Sequence, residues 1–312
     1  MSLLEAPLRS IVGSRVRVMG VVNRTPDSFF DGGQFLGDET SRSRVTALVR
    51  DGADVIDLGA ESTRPGSAEV SVAEQIERLG DAIAFAVSLG VAVSVDTTQP
   101  EVARFALTQG ARLINSVALA PARELAELAV AFGADLVLTH CRGSMTAMKG
   151  FSAYEGDGYD DVVTDVATEW GAAADDALKA GLPAERLWFD PGLGFTKNAA
   201  QSLELCARLG ELKALVRHPV LVGASRKSYV GIVTARDGLV APAAERLGGS
   251  LAAALDCAER GADMLRVHDV AETVQALAYR RAVLACEVDL VARHDRLPPR
   301  APRGGSPECS RG

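Results

Sequence analysis

The sequence predicts a closed (β/α)8 TIM barrel, an α/β fold built as a single domain. Eight short, β-branched apolar runs recur along the chain, and each is followed by a stretch with helical periodicity. The runs are almost continuously apolar, which is typical of parallel strands buried on both faces. Eight such units favour a barrel. An open doubly wound sheet is disfavoured because its usual Gly-rich GxGxxG turn is missing after the first run.

The strands and helices follow from these runs and their punctuation. The predicted strands are Arg17–Asn23, Asp54–Glu61, Val91–Asp96, Leu113–Val117, Asp135–His140, Leu187–Asp190, Val220–Ala224 and Met264–His268. Helical patterns include Ala73–Val87, Ala122–Phe132, Val162–Ala180 and Ala244–Arg260. Glycines stand where several helices should end, as C-terminal caps do: Gly52, Gly90, Gly110, Gly133, Gly181 and Gly261.

The chain divides into three parts by composition. An N-terminal lead covers residues 1–15, and the barrel covers 16–292. Residues 293–312 form a polar tail rich in Pro, Arg, Gly and Ser, which we expect to be disordered.

Charge and cysteine usage exclude several classes of protein. The net charge is −8, which argues against a nucleic-acid partner or an anionic membrane surface. No apolar run is long enough for a membrane span, and the N-terminus lacks the apolar stretch of a secretory signal. The cysteines are odd in number and scattered without a CxxC pair, so neither a disulfide framework nor a zinc site is indicated. We expect a cytoplasmic protein that acts on small molecules.

Polar residues gather where the predicted strands end. In barrels of this kind, the carboxyl ends of the strands and the loops after them build the active site. The termini here are Asn23, Glu61, Asp96, Asn115, His140, Asp190, the turn Ser225-Arg226-Lys227, and Arg266 with His268. Stability alone gives no reason to place these residues on one rim, so we predict a catalytic site there.

Three loops on this rim place hydroxyl groups beside a charge. They are residues 23–33 (NRTPDSFFDGG), 61–66 (ESTRPG) and 225–228 (SRKS). The first two also contain turn formers, which suits ordered loops that present donors to an anion. An acidic chain that binds an anionic substrate needs such local cations or a metal ion.

These segments resemble the motifs of the dihydropteroate synthase family of pterin-binding barrels. The same order continues with SVDT at 94–97, IN at 114–115, DPGLGFTK at 190–197, SRKS at 225–228 and RVHD at 266–269. The match extends over about Val16 to Leu284 and places its motifs at strand ends. The resemblance implies a transferase of folate biosynthesis, which joins 6-hydroxymethyl-7,8-dihydropterin diphosphate to p-aminobenzoate and releases pyrophosphate.

The resemblance also implies roles for individual residues. Asp190 would accept hydrogen bonds from the N–H groups of the pterin pyrimidine edge, as an ionised carboxylate can. Asp96 and Asn115 would hold other parts of the ring, and Lys227 its carbonyl side. Arg266, His268, Thr63 and Arg64 would bind the diphosphate, and Asn23 would be the protein ligand of Mg²⁺.

The second substrate would occupy a slot between the loops. The residues that the resemblance assigns to the p-aminobenzoate slot are Phe29, Asp31, Thr63, Pro65 and Ser228. The family uses no covalent protein intermediate, so we nominate no nucleophile, and it implies a homodimer. Trp170, Trp188 and Phe195 are expected to fill core or rim packing, and His140 fits a structural histidine as well as a site residue.

The sequence departs from the family pattern at a few positions, and two alternative functions stay open. Arg24, Phe30 and Ser116 stand where a small apolar residue, a serine and an aspartate are usual, and Phe30 would add bulk near the slot that sulfonamides target. These departures keep open a non-catalytic pterin-binding paralogue. A pterin-dependent methyltransferase shares the barrel but needs no diphosphate site, so Arg266 and Lys227 argue against it.

Overall fold

The computed structural model describes residues 15–24, 38–61, 70–143 and 158–294. Most of the predicted N-terminal lead, the tail beyond His294 and the loops at 25–37, 62–69 and 144–157 lie outside the described residues.

Eight parallel strands form the sheet that the sequence predicts. They are β1 (Arg17–Asn23), β2 (Val55–Gly59), β3 (Ala92–Asp96), β4 (Leu113–Ser116), β5 (Asp135–Thr139), β6 (Leu187–Asp190), β7 (Leu221–Val222) and β8 (Met264–Val267). The order is β6-β5-β4-β3-β2-β1-β8-β7, with every ladder parallel. A single parallel bridge between Phe189 and Val220 joins β6 to β7 and completes the ring. The predicted barrel is confirmed.

Helices surround this ring between successive strands. They are α1 (Asp38–Arg50), α2 (Val72–Leu79), α3 (Ala82–Ser88), α4 (Pro100–Thr108), α5 (Ala122–Phe132), α6 (Val162–Lys179), α7 (Ala199–Ala207), α8 (Leu209–Val216), α9 (Ser228–Val233), α10 (Leu247–Glu259) and α11 (Val270–His294). The six glycines predicted to end helices all adopt positive φ, from +62° to +104°. Among the described residues, no helix is long and apolar enough to cross a membrane.

Two predicted elements are wrong in their extent, and several others differ at their ends by one to three residues. The pattern Ala73–Val87 is two helices, because Gly80 caps α2 with φ +48° and the chain restarts at Ala82. The strand predicted at Val220–Ala224 keeps only Leu221 and Val222 in the ladder, as the chain then turns towards Ser225. The last helix runs from Val270 to His294 and contains no glycine or proline.

The barrel interior contains an apolar layer, followed by a polar layer at the carboxyl ends of the strands. Its apolar plug consists of Met19, Val55, Leu113, Val137, Trp188, Leu221 and Met264. Side chains alternate along a strand, so the residue two positions after each plug member also points inward. In four strands that residue is Asp57, Asn115, Asp190 or Arg266. The fold therefore places a polar layer directly above an apolar floor.

The two tryptophans belong to the core, as predicted. Trp170 is 1% exposed, packs on Phe189 and donates its indole N–H to the Leu138 carbonyl at 2.9 Å. Trp188 lies in the plug and donates to Asp135 Oδ2 at 3.0 Å. Neither is available to stack on a ligand at the carboxyl ends of the strands.

Two glycine substitutions test which glycine ends a helix and which lies inside one. Gly171 lies inside α6 and has no neighbour within 4 Å of an added Cβ, so Gly171→Ala should stabilise the protein by about 0.5–1 kcal/mol. Gly133 has equal space but φ +62°, so Gly133→Ala should destabilise it by about 1–2 kcal/mol. Thermal unfolding midpoints should shift in opposite directions. A shift in the same direction would contradict this assignment of the helix ends.

Candidate active site at the carboxyl ends of the strands

A buried ion-pair network lies at the centre of the polar layer. Arg266 of β8 donates from Nε to Asp57 Oδ2 of β2 at 2.6 Å and from Nη2 to Asp96 Oδ2 of β3 at 2.7 Å. Asn115 of β4 donates from Nδ2 to the same Asp57 oxygen at 3.1 Å. Four strands thus converge on one cluster of hydrogen bonds.

The charges in this cluster are not balanced. Asp57 is fully buried and Asp96 is 8% exposed, and burying a carboxylate without a partner is strongly unfavourable. Burial raises the pKa of Asp96 to about 7, and the nearby Asp57 charge adds to the effect while Arg266 opposes it. Burial works against the Arg266 guanidinium, but the two carboxylates outweigh it and raise its pKa. One cation therefore serves two carboxylates.

Asp57 is the site residue that the sequence reasoning missed. It sits inside an apolar run (VIDLG), which was interpreted as a buried strand. The signal that identifies it is its position two residues after the plug residue Val55, which points it into the barrel. A carboxylate at an inward position of a buried strand requires a partner, and Arg266 is that partner.

Two acceptor atoms in the network are unpaired among the described residues. Asp57 Oδ1 and Asn115 Oδ1 are buried, and no hydrogen-bond partner for either lies within the described part of the chain. Buried polar atoms are nearly always hydrogen-bonded in folded proteins. Two unpaired acceptors in one cluster therefore favour a ligand that brings N–H donors.

A second group of side chains comes from the loops after β6 and β7. Asp190 is 7% exposed and accepts the Gly192 N–H at 2.8 Å; burial raises its pKa, although that hydrogen bond and Lys227 act in the opposite direction. Lys227 Nζ lies 3.8 Å from the centre of the Phe195 ring. Burial lowers the pKa of Lys227 to about 8. Phe195, which we expected to fill rim packing, therefore also contacts a predicted site residue.

The outer rim carries Asn23 and His268. A Cβ added to Gly59 would lie 3.4 Å from both Asn23 Oδ1 and Asp96 Cβ, so these two side chains flank the glycine. His268 Nδ1 lies 3.1 Å from Ser225 Oγ. Burial, together with the Arg266 charge, lowers the pKa of His268 to about 3, so the imidazole is neutral at neutral pH.

The structure brings most of the predicted site residues to one end of the barrel. Those it places there are Asn23, Asp96, Asn115, Asp190, Lys227, Ser228, Arg266 and His268. The others, Phe29, Asp31, Thr63, Arg64 and Pro65, lie outside the described residues, as does Phe30. His140, for which two interpretations were open, is fully buried beneath this rim between Glu169 and Lys197.

No ready-made metal cage exists in the part of the chain that is described. Those residues contain no group of three or more His, Cys, Asp or Glu side chains that could hold a metal ion. Asn23 supplies one neutral amide oxygen at the rim, flanking Gly59 on the other side from Asp96. Such a donor fits Mg²⁺, which keeps several waters and shares substrate phosphates instead of requiring a full protein cage.

Comparison with known proteins identifies relatives of the whole barrel. The family described as pterin binding enzymes matches residues 19–268. Dihydropteroate synthase of Escherichia coli (strain K12) is 39% identical over 88% of this chain and 94% of its own length. That of Synechocystis is 38% identical over 84% of this chain and 88% of its own.

Solved structures agree with the sequence relatives. A Xanthomonas albilineans dihydropteroate synthase in complex with 7,8-dihydropteroate has a TM-score of 0.75 and 38% identity, over 87% of this chain and 94% of that one. A Yersinia pestis dihydropteroate synthase with a sulfonamide drug has a TM-score of 0.78 and 38% identity, over 87% and 95% respectively.

The raised pKa of Asp96 predicts a pH dependence of stability. Its folded-state pKa, about 7, lies above its ordinary value of 3.8. The contribution of Asp96 to the free energy of unfolding is therefore fully present below pH 4 and is lost as pH rises through 7. Relative to Asp96→Asn, which cannot titrate, the wild type should lose stability on the order of a few kcal/mol over that range. Unfolding measured from pH 4 to 8 on both proteins checks this. The prediction is wrong if the wild type becomes more stable relative to Asp96→Asn as pH rises.

Proposed function

This chain belongs to the family of pterin binding enzymes, and we propose that it joins 6-hydroxymethyl-7,8-dihydropterin diphosphate to p-aminobenzoate, giving 7,8-dihydropteroate and pyrophosphate. The observation that carries the proposal is the excess of buried acceptors over donors in the polar layer. Asp57 Oδ1 and Asn115 Oδ1 are unpaired, and the Asp190 carboxylate lies at the same end of the barrel. A pterin pyrimidine edge presents the N–H groups that such acceptors need.

The pterin would be held by residues from four of the strand ends. Asp190 accepts from the pyrimidine N–H groups, and Asp96 and Asn115 bind other ring positions. Lys227 donates to the ring carbonyl, a role supported by its buried ammonium beside Phe195. Charge-assisted hydrogen bonds of this kind are roughly twice as strong as neutral ones, and they fix the ring orientation.

The diphosphate would lie towards the outer rim. Arg266 lies on β8, and His268 follows the last residue of that strand, two positions after Arg266, so both would face the same side. Thr63 and Arg64 would add donors from the loop after β2. A neutral His268 keeps one N–H donor for a phosphate oxygen. Arg266 would then neutralise charge on the leaving group while remaining bonded to Asp57 and Asp96.

The carboxyl groups at this end of the barrel favour a reaction in which the carbon–oxygen bond breaks before the carbon–nitrogen bond forms. The bond between the pterin methylene carbon and the diphosphate oxygen breaks with its electron pair leaving on oxygen. The lone pair of the amine nitrogen then forms a bond to that carbon, and the nitrogen loses one proton to the released pyrophosphate or to water. The carboxyl groups of Asp57, Asp96 and Asp190 lie at this end of the barrel, and carboxylate oxygens directed at the ring would stabilise a pterin that becomes cationic. No protein nucleophile is required.

We assign Mg²⁺ to Asn23 on the fit of its amide oxygen to a hydrated ion. When bound, the ion would supply charge neutralisation to the departing pyrophosphate. The p-aminobenzoate slot would consist of Phe29, Asp31, Thr63 and Pro65 with Ser228, the first residue of α9. One dihydropteroate synthase was solved with 4-aminobenzoic acid and another with a sulfonamide drug, so the same slot is the proposed sulfonamide target in this chain.

We further propose a cytoplasmic homodimer. Four large apolar side chains at the end of α9 and in the turn after it are 41–76% exposed: Ile232, Val233, Leu239 and Val240. Exposed apolar clusters of this kind favour a protein interface.

Four described cysteines are free, and Cys286 among them is exposed, which suits a reducing compartment.

Pyrophosphate release tests the proposed reaction. With pterin diphosphate and p-aminobenzoate together, the wild type should release pyrophosphate and form dihydropteroate, with neither product when the amine is omitted. Asp190→Asn should lower kcat/KM for the pterin roughly 10- to 100-fold, because it removes a charge-assisted acceptor. Tight pterin binding without any pyrophosphate would instead identify a non-catalytic pterin-binding protein.

The assignment of Mg²⁺ to Asn23 has its own test. Asn23→Ala should weaken the binding of Mg²⁺ in the presence of pyrophosphate by at least about tenfold, because it removes the protein's oxygen ligand. Calorimetric titration measures this without turnover. Asn115→Ala is the control, since it should weaken pterin binding and leave the affinity for Mg²⁺ and pyrophosphate unchanged. Equal metal affinity in Asn23→Ala and wild type would overturn the assignment.

A further inference from the structure

Lys197 is a fully buried lysine that no step of the proposed reaction uses. Its ammonium contacts three backbone carbonyl oxygens, those of His140 at 3.2 Å, Gly192 at 3.2 Å and Phe195 at 3.1 Å. It also lies 2.9 Å from His140 Nδ1. A buried ammonium is costly unless its three donors are satisfied, and here four acceptors surround it.

The opposite side of His140 is also anchored. The Glu169 carboxylate can only accept, so His140 Nε2 carries the ring proton and Nδ1 accepts from Lys197. That N–H donates to Glu169 Oε2 at 3.0 Å, and Glu169 is also bonded to Arg142. Burial lowers the pKa of His140 to about 4 and so keeps the ring in this neutral form. The lysine is therefore held from the body of the barrel, through α6.

The loop that Lys197 contacts needs to be held. Gly192 has φ +64°, and a Cβ on it would lie 2.0 Å from the His140 carbonyl oxygen. Thr196 has φ +48°, which is an unfavourable backbone conformation for a residue with a branched side chain. Loops with such conformations persist when the surrounding contacts over-determine them. The carbonyls of Gly192 and Phe195 both point at Lys197 Nζ, so one ammonium fixes both ends of the turn.

The same loop carries two residues of the candidate site. The Gly192 N–H donates to Asp190 Oδ1 at 2.8 Å, and the Phe195 ring lies against Lys227 Nζ at 3.8 Å. Gly192 and Phe195 are also the residues whose carbonyls bind Lys197. A shift of either carbonyl would therefore move the Asp190 carboxylate or the wall beside Lys227.

We propose that Lys197 is a positioning residue, which fixes the loop after β6 so that Asp190 and Phe195 keep the geometry needed to bind the pterin. The inference rests on the proposed function for the identity of the ligand. Lys197 itself does not touch the substrate. Its loss should affect pterin recognition while the p-aminobenzoate slot, built largely from other loops, is spared.

Lys197→Met tests the proposal, with Lys213→Met as a matched control. Lys213 likewise binds a backbone carbonyl, Gly261 O at 2.6 Å, but at the opposite end of the barrel beside Asp263. Three quantities are measured on wild type and variants: the Kd of 6-hydroxymethylpterin by fluorescence, the KM of each substrate, and the unfolding temperature. Lys197→Met should raise the Kd and KM for the pterin on the order of tenfold or more, with the KM for p-aminobenzoate changed less than about twofold.

The control separates positioning from stability. Lys213→Met should lower the unfolding temperature and leave the Kd and both KM values at wild-type levels. Lys197→Met that loses stability but binds pterin like wild type would overturn the proposal. If Lys197→Met does not fold, the same three quantities are measured on Lys197→Gln, because the glutamine amide keeps an N–H donor. A wild type that binds pterin without releasing pyrophosphate contradicts the proposed reaction alone, and the Kd comparison still decides the role of Lys197.

Discussion

The ion pairs of Arg266 with Asp57 and Asp96 are the interaction on which the rest of the site depends. Arg266 is 209 residues from Asp57 along the chain, and only the pairing of β8 with β1 brings it to β2 and β3. Without that closure, two carboxylates would be buried with no counter-charge, which is strongly unfavourable. Closing the barrel and assembling the site are therefore one event, since the last strand supplies the only described cation bonded to both carboxylates.

The polar layer also depends on what lies below it. The apolar plug lies directly below the network and is built from fully buried side chains, and active sites of such barrels are built at the carboxyl ends of the strands. In this low-dielectric setting, hydrogen bonds and charge interactions of the unpaired acceptors and carboxyl groups are stronger than they would be in water. The site is thus organised before a ligand binds. Its unpaired acceptors can receive hydrogen bonds from the pterin, and its carboxyl groups can stabilise a cationic ring.

Much of this could be predicted from the sequence, because apolar runs ending in polar residues reveal both the strands and the rim. Asp96, Asn115 and Asp190 stand at such ends. Asp57 could not be found that way, since it lies within its run and its importance depends on the register between β2, β3 and β8. The sequence motif contains Lys197 but does not indicate its role, because only the tertiary fold brings the backbone carbonyls to its side chain. The break at Gly80 was missed because helical periodicity continues on both sides of it.

A crystal structure with 6-hydroxymethylpterin and pyrophosphate would show whether the polar layer is the pterin site. We expect the pterin to lie on the polar layer with its pyrimidine N–H groups on Asp190, its carbonyl on Lys227, and Arg266 still bonded to Asp57 and Asp96. We also expect a ring N–H to pair with at least one of the free acceptors, Asp57 Oδ1 or Asn115 Oδ1. A pterin bound elsewhere, with both acceptors still unpaired, would contradict this assignment.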